Sequence, residues 1–259
     1  MIWAERAVGQ NGCVTMRILQ IIALSCLAVL GGPALASSLV EPSLHVIAGG
    51  PDRPRIALTF DACEGRTDQR ILGALVDNRI PATIFATARW LSRNSAAVAI
   101  LQAHPDLFQV ENHGARHIPA VDRPMSVYGL AAAGSPAAVL AEAQGGADAI
   151  KAAGFATPKW FRGATAKYTT TSLAEIRSLD LGVAGYSVNG DGGAQLSAGA
   201  SEKRLLSARD GDVVLAHINQ PGRTAGAGVV RGILALKARG VQFVHLDDGG
   251  PGPAATAKP

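Results

Sequence analysis

Short apolar runs alternate with helical patterns along most of the chain, and no other feature constrains the fold as much. Residues 55–60, 81–87, 107–110, 159–162, 182–188, 212–217 and 241–246 read as seven strands. Between them Ile71, Leu72, Leu75 and Val76 recur at helical spacing behind Thr67 or Asp68 as a cap. Ser92 or Asn94 opens a second helix through Val98, Ile100 and Leu101. Ser135-Pro136 starts a long one that stops at Gly154. Thr171 or Ser172 and then Ser201 lead into two more, and residues 227–238 form the last, ended by Gly240. Repeated β-α units imply a parallel sheet with right-handed crossovers. Seven such units in one domain favour closure into a barrel over an open sheet.

The polar residues that interrupt this pattern fall at strand ends. Asp61 follows the first apolar run, and His113-Gly-Ala-Arg-His117 follows the third. Arg162 ends the fourth, and His217 ends the apolar run 213–216. The carboxyl ends of parallel strands are where barrel and open α/β enzymes keep their chemistry. His113 and His117, read as an i, i+4 pair on a helical turn, would set two imidazoles side by side, the spacing that serves zinc in metallohydrolases. Asp61 has a helix-capping reading beside the ligand or general-base one, and His217 a core reading beside a general-acid one. A buried Arg162 needs a carboxylate, with Asp61 and Asp191 as candidates.

Composition sets the class and compartment. The 259 residues are 48% hydrophobic and 17% charged, as in a globular chain. The net charge of +4 is scattered without a basic block, so no nucleic-acid partner is indicated. Residues 1–36 read as a secretory signal. Met16-Arg17, with Met16 as a candidate initiator, precedes an apolar stretch over 18–30 and the cleavage-type sequence Ala34-Leu35-Ala36. The stretch is too short for a stable membrane span, and the implied destination is periplasmic or secreted. Cys13 and Cys26 would leave with the signal, so Cys63 alone would remain and no internal disulfide could form. Residues 37–54 form a Pro- and Gly-containing extension that wraps the domain edge, and 248–259 a disordered tail.

Thr59-Phe60-Asp61, His113-x-x-x-His117, Phe161-Arg162, the stretch 187–191 and Leu215-x-His217 occur in the order found in one family. Together they resemble the NodB-type polysaccharide deacetylases, carbohydrate esterase family 4, over residues 55–247. The resemblance implies a distorted, incomplete (β/α) barrel with about seven parallel strands. It implies metal-dependent hydrolysis of the N-acetyl group of an amino-sugar polymer or oligomer, peptidoglycan or chitin-like. His113 and His117 would hold a divalent metal, usually zinc. Asp61 would serve as base and His217 as acid, with Arg162 orienting Asp61 and Asp191 tuning His217.

The chain also departs from the family pattern. Where the family has a second Asp as third metal ligand, this sequence has Ala62, followed by Cys63 and Glu64. Either of these could replace it, with a two-histidine site completed by water, or Asp61 as ligand, as the remaining choices. The third motif reads Arg162-Gly-Ala-Thr165, and Tyr168 either serves as a substrate contact there or simply packs. Gly192-Gly193 replaces a tryptophan that would wall the acetyl pocket. Few aromatics are present, which suggests a short or shallow site. Two further hypotheses follow: hydrolysis of another amide on the same fold, and a non-catalytic carbohydrate-binding relative.

Overall fold

A computed structural model describes residues 38–249 and 257–258; the signal segment read at 1–36 lies outside the described residues. Its main sheet runs, in spatial order, Gly182–Val183, Trp160–Phe161, Phe108–Asn112, Ala82–Ala86, Arg55–Ala62, Val213–His217 and Val188–Asn189, all paired in parallel. Gln242–Val244 pairs with the first residues of Arg55–Ala62, on the side where Ala82–Ala86 pairs with its last. The sheet curls into an incomplete (β/α) barrel, as the strand count and the resemblance led us to expect.

The central strand shows how the two faces are divided. Ile56, Leu58, Phe60 and Ala62 alternate toward one core, where they meet Ile71, Leu72 and Leu75 of the helix Gln69–Asp77. Ile233 and Leu236 of the helix Ala225–Ala238 complete that packing. Each of the Ile, Leu and Phe side chains here, fully buried, stabilises the fold by about 1.5–3 kcal/mol. The intervening residues Ala57, Thr59 and Asp61 face the barrel interior, so the strand's period of two aims Asp61 inward while Phe60 and Ala62 secure the wall.

Several boundaries differ from the sequence reading. The run 182–188 is not one strand but two short ones, because the Ala184 and Gly185 carbonyls turn to accept from Arg162 Nε and Nη2 at 3.3 and 2.9 Å. An extra helix, Ala88–Arg93, is capped by Thr87. Ser197, not Ser201, caps the helix Ala198–Leu206, and Ser201 lies buried inside it. The last strand shortens to Gln242–Val244 and is followed by the helix Leu246–Gly249, which carries ordered chain past Asp248. Ala257–Lys258 pairs antiparallel with Glu41–Pro42.

The extension before Arg55 packs rather than drifts. Leu44 and Val46 are buried against Ala57, Phe85 and Val213. Gly185, between the two end strands of the sheet, lets the extension pass: a Cβ there would sit 2.0 Å from the Pro42 carbonyl oxygen. Among the described residues no helix is long and apolar enough to cross a membrane.

Candidate active site

Parallel register brings the strand ends to one level. Asp61 pairs with His217 on one side and Phe85 on the other; Ala86 pairs with Asn112, and Asn112 with Phe161. His113 and Arg162, the next residues after two of these, leave the sheet at the same mouth as Asp61 and His217. The widely separated motifs therefore meet.

Asp61 is held from behind. Arg162, with no exposed surface, donates from Nη1 to Asp61 Oδ1 at 3.0 Å and to Thr59 Oγ1 at 2.9 Å, while its planar face lies 4.2 Å from the Phe85 ring centroid. Of the two candidate partners for Arg162, this one is Asp61. Burial opposes ionisation of Asp61, but the charges of His113, Arg162 and His217 prevail and hold its pKa below the ordinary carboxylate value. A buried guanidinium with a partner on each side of its fork fixes the carboxylate in direction as well as charge.

The two imidazoles lie 5.1 Å apart between ring centroids, but not on a helical turn. Residues 113–118 form a loop in which Gly114 and His117 take left-handed backbone, φ +88° and +60°. The loop closes on Glu142 of the helix Pro136–Ala152, a side chain that is 1% exposed. Glu142 Oε1 accepts from the Arg116 and Ile118 amides at 2.8 and 3.1 Å, and its backbone carbonyl accepts from Ala115 at 3.0 Å. Asn112 completes the frame, accepting from the Gly114 amide at 2.8 Å and donating to the Ala143 carbonyl at 2.7 Å. The helix comes this close because residue 146 is glycine: a Cβ would fall 2.1 Å from Asn112 Oδ1.

His113 Nδ1 lies 2.5 Å from the Arg162 carbonyl, which can only accept, so Nδ1 carries the proton. Nε2 is then turned toward Cys63 Sγ at 3.4 Å and Asp61 Oδ2 at 3.7 Å. One ligand atom from each of Cys63, His113 and His117 lies within 4.8 Å of the others. Donors this close can share one ion, since zinc–nitrogen and zinc–sulfur bonds run about 2.0–2.3 Å. Ala62 points into the outer core, whereas Cys63 turns to the imidazoles, its carbonyl held by Thr87 Oγ1. Burial works against a Cys63 thiolate, yet the charge of His113 and hydrogen bonds from His113, His117 and His217 bring its pKa well below the usual thiol value. A thiol whose ionisation is eased in this way, beside two imidazoles, fits a borderline divalent ion. Glu64, the other candidate, instead pairs with Arg89.

His217 stands opposite. Asp191, 1% exposed, accepts from the His217 amide at 2.7 Å and from Nδ1–H at 2.9 Å, leaving Nε2 for the cavity. Burial depresses the pKa of His217, but the hydrogen bond to Asp191 and the adjacent Cys63 raise it well above the ordinary imidazole value. Tyr168 is not at the cavity: it is fully buried, and its hydroxyl accepts from the Gly163 amide at 2.8 Å, supporting the Arg162–Thr165 loop from behind. Thr165 and Ala166 do line the cavity, in left-handed backbone at φ +70° and +51°. So do Gly192 and Gly193, in place of the tryptophan wall. The cavity measures about 750 Å³ and includes Asp61, Cys63, His117 and His217, within the ordinary range for a small-molecule site.

Sequence reasoning passed over Asn112, Glu142 and Thr87. Paired glycines in mid-helix, at 145 and 146, were the available signal, because such residues mark close backbone approach.

Residues 48–184, more than half the chain, match the family model described as polysaccharide deacetylase. The chain belongs to this family, and as a member it is a hydrolase acting on carbon–nitrogen bonds. The match stops before Asp191 and His217, which only the fold returns to the site. A family 4 carbohydrate esterase from Streptomyces lividans, solved in complex with acetate, is 22% identical; the likeness covers 80% of this chain and 100% of that one, with a TM-score of 0.61. A peptidoglycan deacetylase from Bacillus subtilis is 21% identical over 77% of this chain and 91% of its own, with a TM-score of 0.61. A family 4 pseudoenzyme from Bacillus anthracis is 19% identical over 78% and 67%, with a TM-score of 0.60. At these identities the likeness is one of fold. No curated protein matches the chain.

Proposed function

We propose that this protein is an exported, metal-dependent N-deacetylase of N-acetylated amino-sugar glycans, peptidoglycan or a chitin-like polymer. The reading is supported above all by the meeting of a base, an acid and three metal donors at one cavity mouth. Cys63, His113 and His117 would hold the ion, zinc by the softness of one thiolate and two imidazoles, and bound there it would supply Lewis-acid polarisation of the acetamide carbonyl and of water. Asp61, tied to Arg162 through Oδ1, keeps Oδ2 to take a proton from the attacking water. His217 gives its Nε2 proton to the amine as the C–N bond breaks. One water is consumed, and acetate and a free amine leave. Arg162 and Asp191 are positioning residues that act through Asp61 and His217. Separating the base from the acid lets each hold its working protonation state near neutral pH.

Acetate release from chitooligosaccharides and from peptidoglycan tests the reading. Metal-loaded protein releases acetate, chelated protein does not, and Asp61→Asn lowers the rate by about 10²–10⁴-fold. Cys63→Ser lowers zinc affinity in a competition titration by more than the roughly 100-fold that loss of an outer hydrogen-bond partner costs. A protein that releases no acetate and binds glycan equally well after His113→Ala would overturn the proposal in favour of a carbohydrate-binding relative.

A further inference from the structure

The loop 118–134, which leaves the site after His117, contains an antiparallel hairpin, Ser126–Val127 with Leu130–Ala131. Its two-residue turn is Tyr128-Gly129, with φ +50° and +82°. Both angles are positive, as a type I′ turn demands, and Asn, Asp or Gly adopts the first position at lower cost than tyrosine. The tyrosine is not repaid by burial: Val127 anchors the hairpin at 5% exposure, whereas Tyr128 is 77% exposed. Among the described residues four large hydrophobic side chains are exposed, and three of them, Met125, Tyr128 and Leu130, stand on or beside this hairpin. Tyr128 and Leu130 line the same cavity as Asp61 and His217. Lys167 Nζ, itself paired with Glu41 at 2.9 Å, lies 5.7 Å from the Tyr128 ring centroid and borders it with positive charge.

The ring's contact with Lys167 returns the fold little for the strained backbone beneath a side chain this exposed, and such outliers point to function. We infer that the Tyr128 hairpin is a glycan subsite: its ring and Leu130 pack against the apolar C–H face of a pyranose one or more units away from the acetylated sugar. The inference rests on the proposed deacetylase reading for its substrate class. An aromatic ring with a polar tip suits a sugar, whose faces are apolar and whose edges carry hydroxyls. Tyrosine also brings this contact area with few rotors to freeze. A subsite here would lengthen the short site that the scarcity of aromatics suggests, by one exposed ring at the rim.

Tyr128→Asn provides the test, since asparagine fits the turn while removing the ring. Binding of chitopentaose and of a muramidase-derived peptidoglycan oligosaccharide is measured by calorimetry, and acetate release is followed on the pentamer and on monomeric N-acetylglucosamine. The wild type binds at least one oligosaccharide, and Tyr128→Asn weakens that binding by about three- to tenfold, the scale of one aromatic contact. KM for the oligomer rises to match, kcat/KM for the monomer is unchanged, and the melting temperature does not fall. Tyr128→Phe binds like the wild type. Unchanged oligomer binding in Tyr128→Asn, equal losses on oligomer and monomer, or no binding of either oligosaccharide by the wild type overturns the subsite. Ring-dependent binding without acetate release from any glycan would sink the deacetylase reading and leave the subsite standing.

Discussion

The floor and the rim of the cavity are built on opposite principles. On the floor Arg162 spends its donors on Thr59, Asp61, Ala184 and Gly185, all buried. Asp191 uses both oxygens on His217, and Glu142 gathers the amides of the histidine loop. Around the rim, Glu64 pairs with Arg89 with both side chains at least 40% exposed, Tyr128 stands in solvent, and two glycines replace a wall. Groups that make and break bonds must be held in direction and charge before substrate arrives. Groups that recognise a polymer need only be reachable, and loops with few buried contacts serve that purpose.

This contrast can be broken first at Arg162. Arg162→Met leaves Asp61 buried without its guanidinium partner; its pKa then rises, and the acidic limb of the rate profile moves to higher pH. The rate at pH 7 should fall by about 10²–10⁴-fold, and stability by about 3–5 kcal/mol, seen as a melting temperature lower by about 6–20 °C. Glu142→Ala comes next. Two partly buried amides lose their acceptor, at up to about 1–3 kcal/mol each, and zinc affinity drops by about 10–100-fold, although Glu142 touches neither metal nor substrate. An effect on melting alone, with zinc affinity intact, would confine Glu142 to packing. Asp191→Asn sharpens the contrast further. Without the carboxylate the imidazolium of His217 is less favoured and its pKa falls, so the alkaline limb of the kcat profile shifts to lower pH while the acidic limb stays. Glu64→Gln at the rim is the smallest change, within about 0.5 kcal/mol in stability, with zinc binding unaltered. A large loss there would show that the rim shares the floor's constraint.

What the sequence disclosed, and what it hid, follows the same division by distance. Asp61, His113 and His217 were readable because each ends an apolar run, and parallel pairing turns that local position into a shared end of the barrel. Glu142 was not readable: a glutamate in mid-helix ordinarily faces water, and its partners are 24 and 26 residues away. The histidine loop was mistaken for a helical turn because spacing alone cannot distinguish i, i+4 geometry from a loop wrapped around a buried carboxylate. The hairpin at 126–131 has two-residue strands, too short to show a period of two. Gly182 to Val188 reads as one apolar strand because nothing local reveals that its carbonyls serve a guanidinium 22 and 23 residues earlier in the chain. Ala62 marks the departure from the family pattern, but only the turn after the strand shows that Cys63 faces the imidazoles while Glu64 pairs with Arg89.

Glu41 lies fourteen residues before the first strand of the main sheet and still lines the cavity, where its carboxylate takes the Tyr186 hydroxyl and the Lys167 ammonium. A version of this enzyme trimmed back to Arg55 would keep every strand of the barrel and lose a piece of its own binding wall, setting loose the lysine that borders the hairpin ring. The functional unit begins before the barrel, not at it.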